Sequence, residues 1–398
     1  MAADADRSPL SGVLVADFSR VLAGPLATMT LADLGATVVK VERPATGDDT
    51  RSWGPPWTGD SSAYFDGINR GKYSAALDFA DADDLAAAVE LARRADVVVQ
   101  NFRPGGLAQF GLDHPTVALS NPGVVYCSIS GFGQGAGADR PGYDFLVQAL
   151  GGLMSVTGTA DGDPLKVGVA LVDVLTGKDA VIGILAALAA RSRTGLGDHV
   201  EVNLLSSLLG GLANQVSGYL ATGTPPRRMG NQHPSIAPYE TLHCADGMLA
   251  VACGNDRQFR RLAEVLGVAP LGDDERFATN PARVANRPAL LAALEGALRT
   301  ASSAEWERRL MAAGVPAGVV GDIGSGVDLA ETLGLRPLVD LGEGRPKQIR
   351  HPITYDQARP APATPAPGLG EHTELLRAWL RGPAEGTLDH PSIRTVSE

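Results

Sequence analysis

Apolar positions in this chain fall into short continuous runs separated by longer stretches with helical spacing. Gly12–Phe18 (GVLVADF) is such a run, rich in β-branched residues, as a strand buried on both faces requires. Ala23–Leu34 has the spacing of a helix, with Pro25 tolerated in its first turn and Gly35 as its stop. Thr37–Glu42 (TVVKVE) reads as the next strand. A strand–helix–strand unit with short joints predicts a parallel sheet. The unit recurs. Asp83–Ala95 is a helix with an acidic start and Arg93-Arg94 at its end, which suits the helix dipole. Asp96–Val99 and Gly123–Ser130 are further strands. Loops carrying polar or glycine residues follow Glu42, Val99 and Ser130, and ligands of open α/β sheets bind at such carboxyl ends.

Further along, a small-residue run ends at Asp173, and an apolar helix over Val174–Arg193 begins directly after it. His199–Asn203 reads as a strand, and Leu204–Ala221 as one helix whose Gly and Ala content permits close packing. Gly223–Arg228 reads as a linker. Beyond it the texture changes. Tyr239–Cys253 is a hairpin around Ala245-Asp246-Gly247. Helices follow over Asp256–Leu266, Pro288–Arg299 and Ser303–Ala313, the last with a capping pattern, and Val315–Val320 returns to strand. The tail carries HPITYD, a Pro/Ala-rich stretch and a helix over Gly370–Leu380. The expected fold is α/β: a large parallel-sheet domain over 1–225, a smaller α+β domain over 226–330, and a segment over 331–398 that returns to the first domain.

Composition narrows the partners. The 398 residues are 44% hydrophobic and 20% charged, as in a globular protein. A net charge of −11 argues against a nucleic-acid partner, which needs a basic field. Three cysteines without a CxxC pair point to a reducing compartment. The polar start MAADADRSPLSG has the pattern of neither a signal nor a transit peptide, and Ala180–Ala190 is too short to span a bilayer. These features predict a soluble cytoplasmic protein with no membrane partner. Scattered histidines without HExxH or a Cys/His cluster predict no metal site.

Several residues could carry chemistry. Asp173 at a helix mouth is either an N-cap or a reactive group, and the two readings are compatible. The helix dipole predicts that its carboxylate stays ionised at neutral pH. Arg43 closes the second strand. Asn101, Phe102 and Arg103 bring an amide, an aromatic face and a guanidinium to one strand tip, a combination that suits a nucleotide. The loop GFGQGAG is rich in glycine but is neither a P-loop nor GxGxxG. Tyr143-Asp144 follows it, with Tyr143 readable as packing or as a site residue.

RVLAGP (Arg20–Pro25), LADLGATVVKVERPATGDDTR (Leu31–Arg51), NRGKYSAALD (Asn69–Asp78), DVVVQNFRPG (Asp96–Gly105), GYDFLVQALGGLMSVTG (Gly142–Gly158) and PYETLHCADG (Pro238–Gly247) together resemble the class III CoA-transferases. That family includes formyl-CoA transferase, carnitine CoA-transferase and α-methylacyl-CoA racemase. The resemblance implies a Rossmann-like large domain, a small domain and two chains threaded as an interlocked homodimer. It places the nucleophile on Asp173 and CoA contacts on Ala23, Arg43, Leu77, Asn101, Phe102, Arg103 and Tyr143. It implies acyl-CoA and a carboxylic acid as substrates, with no permanently bound cofactor. Two positions where relatives often hold a base are Ala80 and Gln109 here, so Lys72 or Arg140 is the expected substitute for gripping the CoA 3′-phosphate. The racemase branch of the resemblance uses a His where this chain has Tyr143, and Tyr, with a pKa of about 10, is a poor base at neutral pH. The glycine loop of formyl-CoA transferase is not reproduced at Ala252–Asp256. The expected activity is therefore CoA transfer between acids, with an acyl-CoA racemase or a silent CoA-binding protein as alternatives.

Overall fold

Six strands pair in one parallel sheet in the computed structural model, which describes residues 8–383 and Leu388. They are β1 (Leu14–Asp17), β2 (Thr37–Glu42), β3 (Lys72–Ala76), β4 (Val97–Gln100), β5 (Val125–Ser130) and β6 (Asp198–Asn203), in the spatial order β3-β2-β1-β4-β5-β6. Val15 of β1 lies opposite Val38 on one side and Val97 on the other, and all three are fully buried. Branched apolar side chains on both faces of the central strands explain why those segments read as continuous apolar runs. β3 did not announce itself. Its sequence, KYSAA, opens on a lysine, yet Lys72 is buried and bonded to Asp17 of β1 at 3.1 Å.

The strand order reverses direction between β1 and β4. In a doubly wound sheet a crevice opens there, at the carboxyl ends of the strands. Of the helices α1 (Ala23–Asp33), α2 (Ala82–Arg94), α3 (Asp144–Leu150), α4 (Leu171–Thr194) and α5 (Leu204–Gly211), all but α2 begin beside it, and α2 packs Ala88, Leu91 and Ala92 into the core against the sheet. α4 buries Val172, Thr176, Ala180, Ile184 and Ala187 and ends on Gly195, whose φ of 73° lets the chain turn away. It packs against α1 so closely that a Cβ on Gly177 would stand 2.7 Å from the carbonyl oxygen of Ala23. The single helix expected over Leu204–Ala221 is in fact two, α5 and α6 (Ala213–Thr222), broken where Ala213 takes a φ of 40°.

Two compact units emerge. Among the described residues, one comprises 8–151, 167–217 and 336–383 with Leu388, and the other 152–166 and 218–335. In the first, Leu376 of the terminal helix Thr373–Arg381 is buried in the core cluster with Leu91, Val98 and Tyr126. In the second, β7 (Tyr239–His243), β8 (Met248–Ala252) and β9 (Ala317–Val319) form an antiparallel sheet in the order β9-β8-β7. Its core gathers Phe259, Leu294 and Trp306 from three helices. Among the described residues, no helix is long and apolar enough to cross a membrane.

Candidate active site

The loop after β1 and the loop after β4 meet at the sheet's switch point. The Asn101 side-chain amide donates to the Arg20 carbonyl at 2.7 Å and accepts from the Arg20 N–H at 3.0 Å. Asn101 thus joins the two strand tips. Beneath them lies a buried charge network. Lys40 of β2 donates to the Ser19 carbonyl and pairs with Asp48, both at 2.8 Å. Asp48 in turn accepts from the Thr50 N–H at 3.0 Å and from the Val21 N–H at 3.3 Å. Burial pushes the Asp48 carboxyl up, but Lys40 and the Thr50 donors outweigh it and hold the group below its usual range. Arg20 and its neighbours therefore stand on an ionic foundation.

The strand-tip loops enclose a pocket of about 540 Å³ that includes Ala23, Asn101, Phe102, Arg103, Tyr143 and Asp173. A second pocket, of about 650 Å³, includes Arg43, Leu77 and Ala80. Arg20 and Phe102 line both. Every CoA-contact position expected from the sequence therefore lines one of two adjoining pockets, and Asp173 lies in the first. Gln109 lines neither and donates to the Gly106 carbonyl at 3.1 Å.

Asp173 is not the cap of α4. Ala170 occupies that position, and Asp173 is the third helical residue. The capping acceptor comes from elsewhere: Asp144, first residue of α3, accepts from the Val172 N–H at 2.8 Å and from the Asp173 N–H at 3.4 Å. Asp144 also accepts from the Gln148 amide at 2.7 Å. The first-turn donors are thus taken by a second carboxylate, and the Asp173 side chain accepts no hydrogen bond among the described residues. Burial, and then the Asp144 charge, push Asp173 up to about 7. The expectation that Asp173 stays fully ionised at neutral pH is corrected accordingly. The field of the helix end falls on Asp144, and Asp173 is left desolvated beside it.

The sequence reading missed two aromatic neighbours. Trp53 lines the pocket and meets Tyr64 edge to face, with ring centroids 5.5 Å apart. Burial, then Asp173, Asp144 and Asp48, push the Tyr64 phenol up to about 12, so it remains a proton donor at neutral pH. The two cations suggested for the 3′-phosphate part company. Lys72 is wholly buried and bonded to Asp17, the Pro25 carbonyl and Asn69, and cannot reach a ligand. Arg140 is exposed on the pocket wall, its guanidinium 5.8 Å from the Phe132 ring centroid.

The glycine-rich loop over 131–142 closes on itself. A Cβ on Gly131 would stand 2.4 Å from Gly142 Cα, and one on Gly137 would stand 2.2 Å from the Phe132 carbonyl oxygen. Gly133 N–H donates to the Ser130 hydroxyl at 3.1 Å. Here glycine serves backbone against backbone, which holds Tyr143 and Asp144 at the pocket edge. Gly131→Ala should spread the loop ends and displace Asp144. The expected result is a fall of about 100-fold in kcat/KM, the scale of a misplacement of about 1 Å, with the circular dichroism spectrum retained.

A sequence profile of CoA-transferase family III matches residues 10–373. A succinate–glutarate CoA-transferase of Agrobacterium fabrum is 44% identical over 94% of this chain and 96% of its own. An acetyl-CoA:oxalate CoA-transferase of Acetobacter aceti is 40% identical over 95% of this chain and 97% of its own. The crystal structure of a CAIB/BAIF family protein from Brucella suis superposes with a TM-score of 0.85 at 44% identity, covering 94% of this chain and all of that one.

Proposed function

The chain belongs to CoA-transferase family III, and we propose that it exchanges CoA between dicarboxylic acids, with Asp173 as the nucleophile. CoA transfer from an acyl-CoA to a carboxylic acid is the activity of its relatives. The dicarboxylate class rests on the glutarate and oxalate in their names. The observation that carries the role of Asp173 is its carboxylate, which accepts no hydrogen bond among the described residues, in the pocket that also holds five of the seven expected CoA contacts.

In this reading the Asp173 carboxylate attacks the thioester carbonyl of the donor, and CoA leaves as thiolate. The product on the enzyme is a mixed anhydride. The thiolate then attacks the aspartyl carbonyl and releases the donor acid, leaving an aspartyl-CoA thioester. The acceptor carboxylate attacks that thioester, forming a second anhydride and freeing CoA thiolate. Attack of the thiolate on the acceptor acyl carbon completes the new acyl-CoA and restores Asp173. Each step exchanges one acyl bond for another, so no oxidant or net proton is required. The chemistry needs a desolvated carboxylate, and the burial that raises Asp173 supplies it.

A nucleophile raised to about 7 has a pH signature. Only its ionised form attacks, so kcat/KM should fall as pH drops through 7, to about a tenth of its plateau at pH 6. Asp144→Asn removes the neighbouring charge while Oδ1 can still accept from the Val172 N–H. The acidic limb should then move to lower pH. A limb that stays in place in the variant would show that Asp144 does not tune Asp173.

A panel of acids tests the substrate class. Succinyl-CoA and acetyl-CoA are offered with glutarate, oxalate and straight-chain monocarboxylates. Transfer confined to dicarboxylates is expected, and transfer confined to monocarboxylates would refute the assignment. Exchange of an α-proton for solvent deuterium without any acceptor acid would mark a racemase instead. We also propose the interlocked homodimer. Its support lies on the helix Ile323–Thr332 and the turn after it, where Ile323, Leu329, Leu333 and Leu335 are exposed. Light scattering should give twice the chain mass.

A further inference from the structure

Between the two pockets stands a charge arrangement of Arg20, Arg43 and Asp49. Arg20 donates from Nη1 to Asp49 Oδ2 at 3.0 Å, and Arg43 donates from Nη2 to Asp49 Oδ1 at 2.8 Å. One carboxylate therefore holds two guanidiniums, leaving an excess positive charge, and both arginine side chains are more than half exposed. A carboxylate engaged by two guanidiniums fixes their direction but leaves their outer N–H groups free for another anion. Arg20 belongs to the walls of both pockets, whereas Arg43 lines only the second.

The two cavities differ in character. The second is walled by Phe18, Leu77, Phe79, Phe102 and Phe110, with Arg43 beside them, a surface for a flat heteroaromatic ring. The first leads to Asp173. A CoA molecule has a purine nucleoside at one end and a thioester at the other, joined by a diphosphate and a flexible arm. Its thioester must reach Asp173, and its purine fits the aromatic pocket. The diphosphate then crosses the wall that the two pockets share, and the cation on that wall is Arg20. The backbone of Arg20 is fixed at both polar atoms by Asn101, so the guanidinium springs from a rigid base.

We propose that Arg20 is a binding residue for the diphosphate of CoA, held ready by Asp49. This rests on the CoA-transferase reading. Arg20 is a contact to the substrate and takes no part in bond making. Its loss should therefore weaken CoA binding and leave the chemistry at Asp173 intact.

The test is calorimetric titration of the full-length wild type and Arg20→Gln with CoA, 3′-dephospho-CoA and pantetheine. Charge-assisted hydrogen bonds to phosphate are lost in the variant, so its affinity for CoA should fall by about 10- to 100-fold. The fall should be the same for 3′-dephospho-CoA and absent for pantetheine, which lacks the diphosphate. Saturating kcat should remain within about twofold of wild type. Undiminished binding of 3′-dephospho-CoA by the variant would assign Arg20 to the 3′-phosphate and overturn the proposal. An unchanged CoA affinity with a raised KM for the acceptor acid would overturn it too, by placing Arg20 in the acid subsite. A wild type that binds CoA but transfers nothing refutes the proposed function alone, because the Arg20 assignment is read from binding ratios.

Discussion

Asp173→Asn should lower kcat for CoA transfer by about 10⁴-fold or more, the scale on which loss of a nucleophile acts. The substitution keeps the shape of the side chain and removes the anion. Among the described residues the carboxylate accepts no hydrogen bond, and Asp144 does the capping of α4, so the described fold does not rest on that anion. The melting temperature should not fall. It should rise at neutral pH, because the native state holds the ionised carboxylate against both burial and the charge of Asp144. The affinity for CoA should survive, since an amide of the same shape leaves the expected contacts in the two pockets in place. This combination separates a nucleophile from a structural residue: chemistry is lost, while binding and stability are kept.

Lys40→Met should do the reverse. The Lys40 side chain is buried, and its ammonium group serves Asp48 and the Ser19 carbonyl. Asp17 and Glu42 also face it. Replacing it with an apolar chain of similar length leaves buried carboxylates without their cation, which costs about 3–5 kcal/mol of stability. The denaturant midpoint should drop with little change in its slope. The residual activity of folded enzyme should show a raised KM for acyl-CoA, because the Ser19–Val21 turn beneath Arg20 loses its anchor. The pH dependence follows from the carboxylates. Burial pushes Asp17, Glu42 and Asp48 up, yet the surrounding cations and hydrogen bonds hold all three below their usual range. Their stabilisation is therefore present above the unfolded pKa values, about 4, and is lost as pH falls through the depressed native ones. In the variant part of that acid sensitivity should move to higher pH.

The strands easiest to find in the sequence were the ones the sheet buries on both faces. Gly12–Phe18, Thr37–Glu42 and Gly123–Ser130 are apolar because neighbours cover them, and their observed bounds lie within two residues of the reading. β3 was hidden by Lys72, a charge that is tolerable in the core only because Asp17 faces it from another strand. A pairing across 55 positions leaves no local trace. The break at Ala213 was equally silent, since nothing in LLGGLANQ forces a positive φ there.

The site was legible in part. Strand-tip residues such as Asn101 and Arg103 stood out because chemistry-bearing types follow apolar runs. Asp144 did not, because its role as cap of a helix beginning 27 positions later depends on how α3 and α4 meet. Position at the helix mouth was read as evidence for an ionised Asp173. Geometry assigns the helix donors to its neighbour instead, and a raised carboxylate results. Arg20 sat in view within RVLAGP, but only the two-pocket arrangement separates it from an ordinary surface arginine.

The central claim is that Asp173 becomes acylated during turnover. Wild-type enzyme is incubated with succinyl-CoA and hydroxylamine, without acceptor acid, and digested for peptide mass spectrometry. The prediction is a hydroxamate on Asp173, with activity lost in proportion to its formation and no modification of Asp144. Turnover with an acceptor acid while Asp173 stays unmodified, or a hydroxamate on another carboxylate, would contradict it.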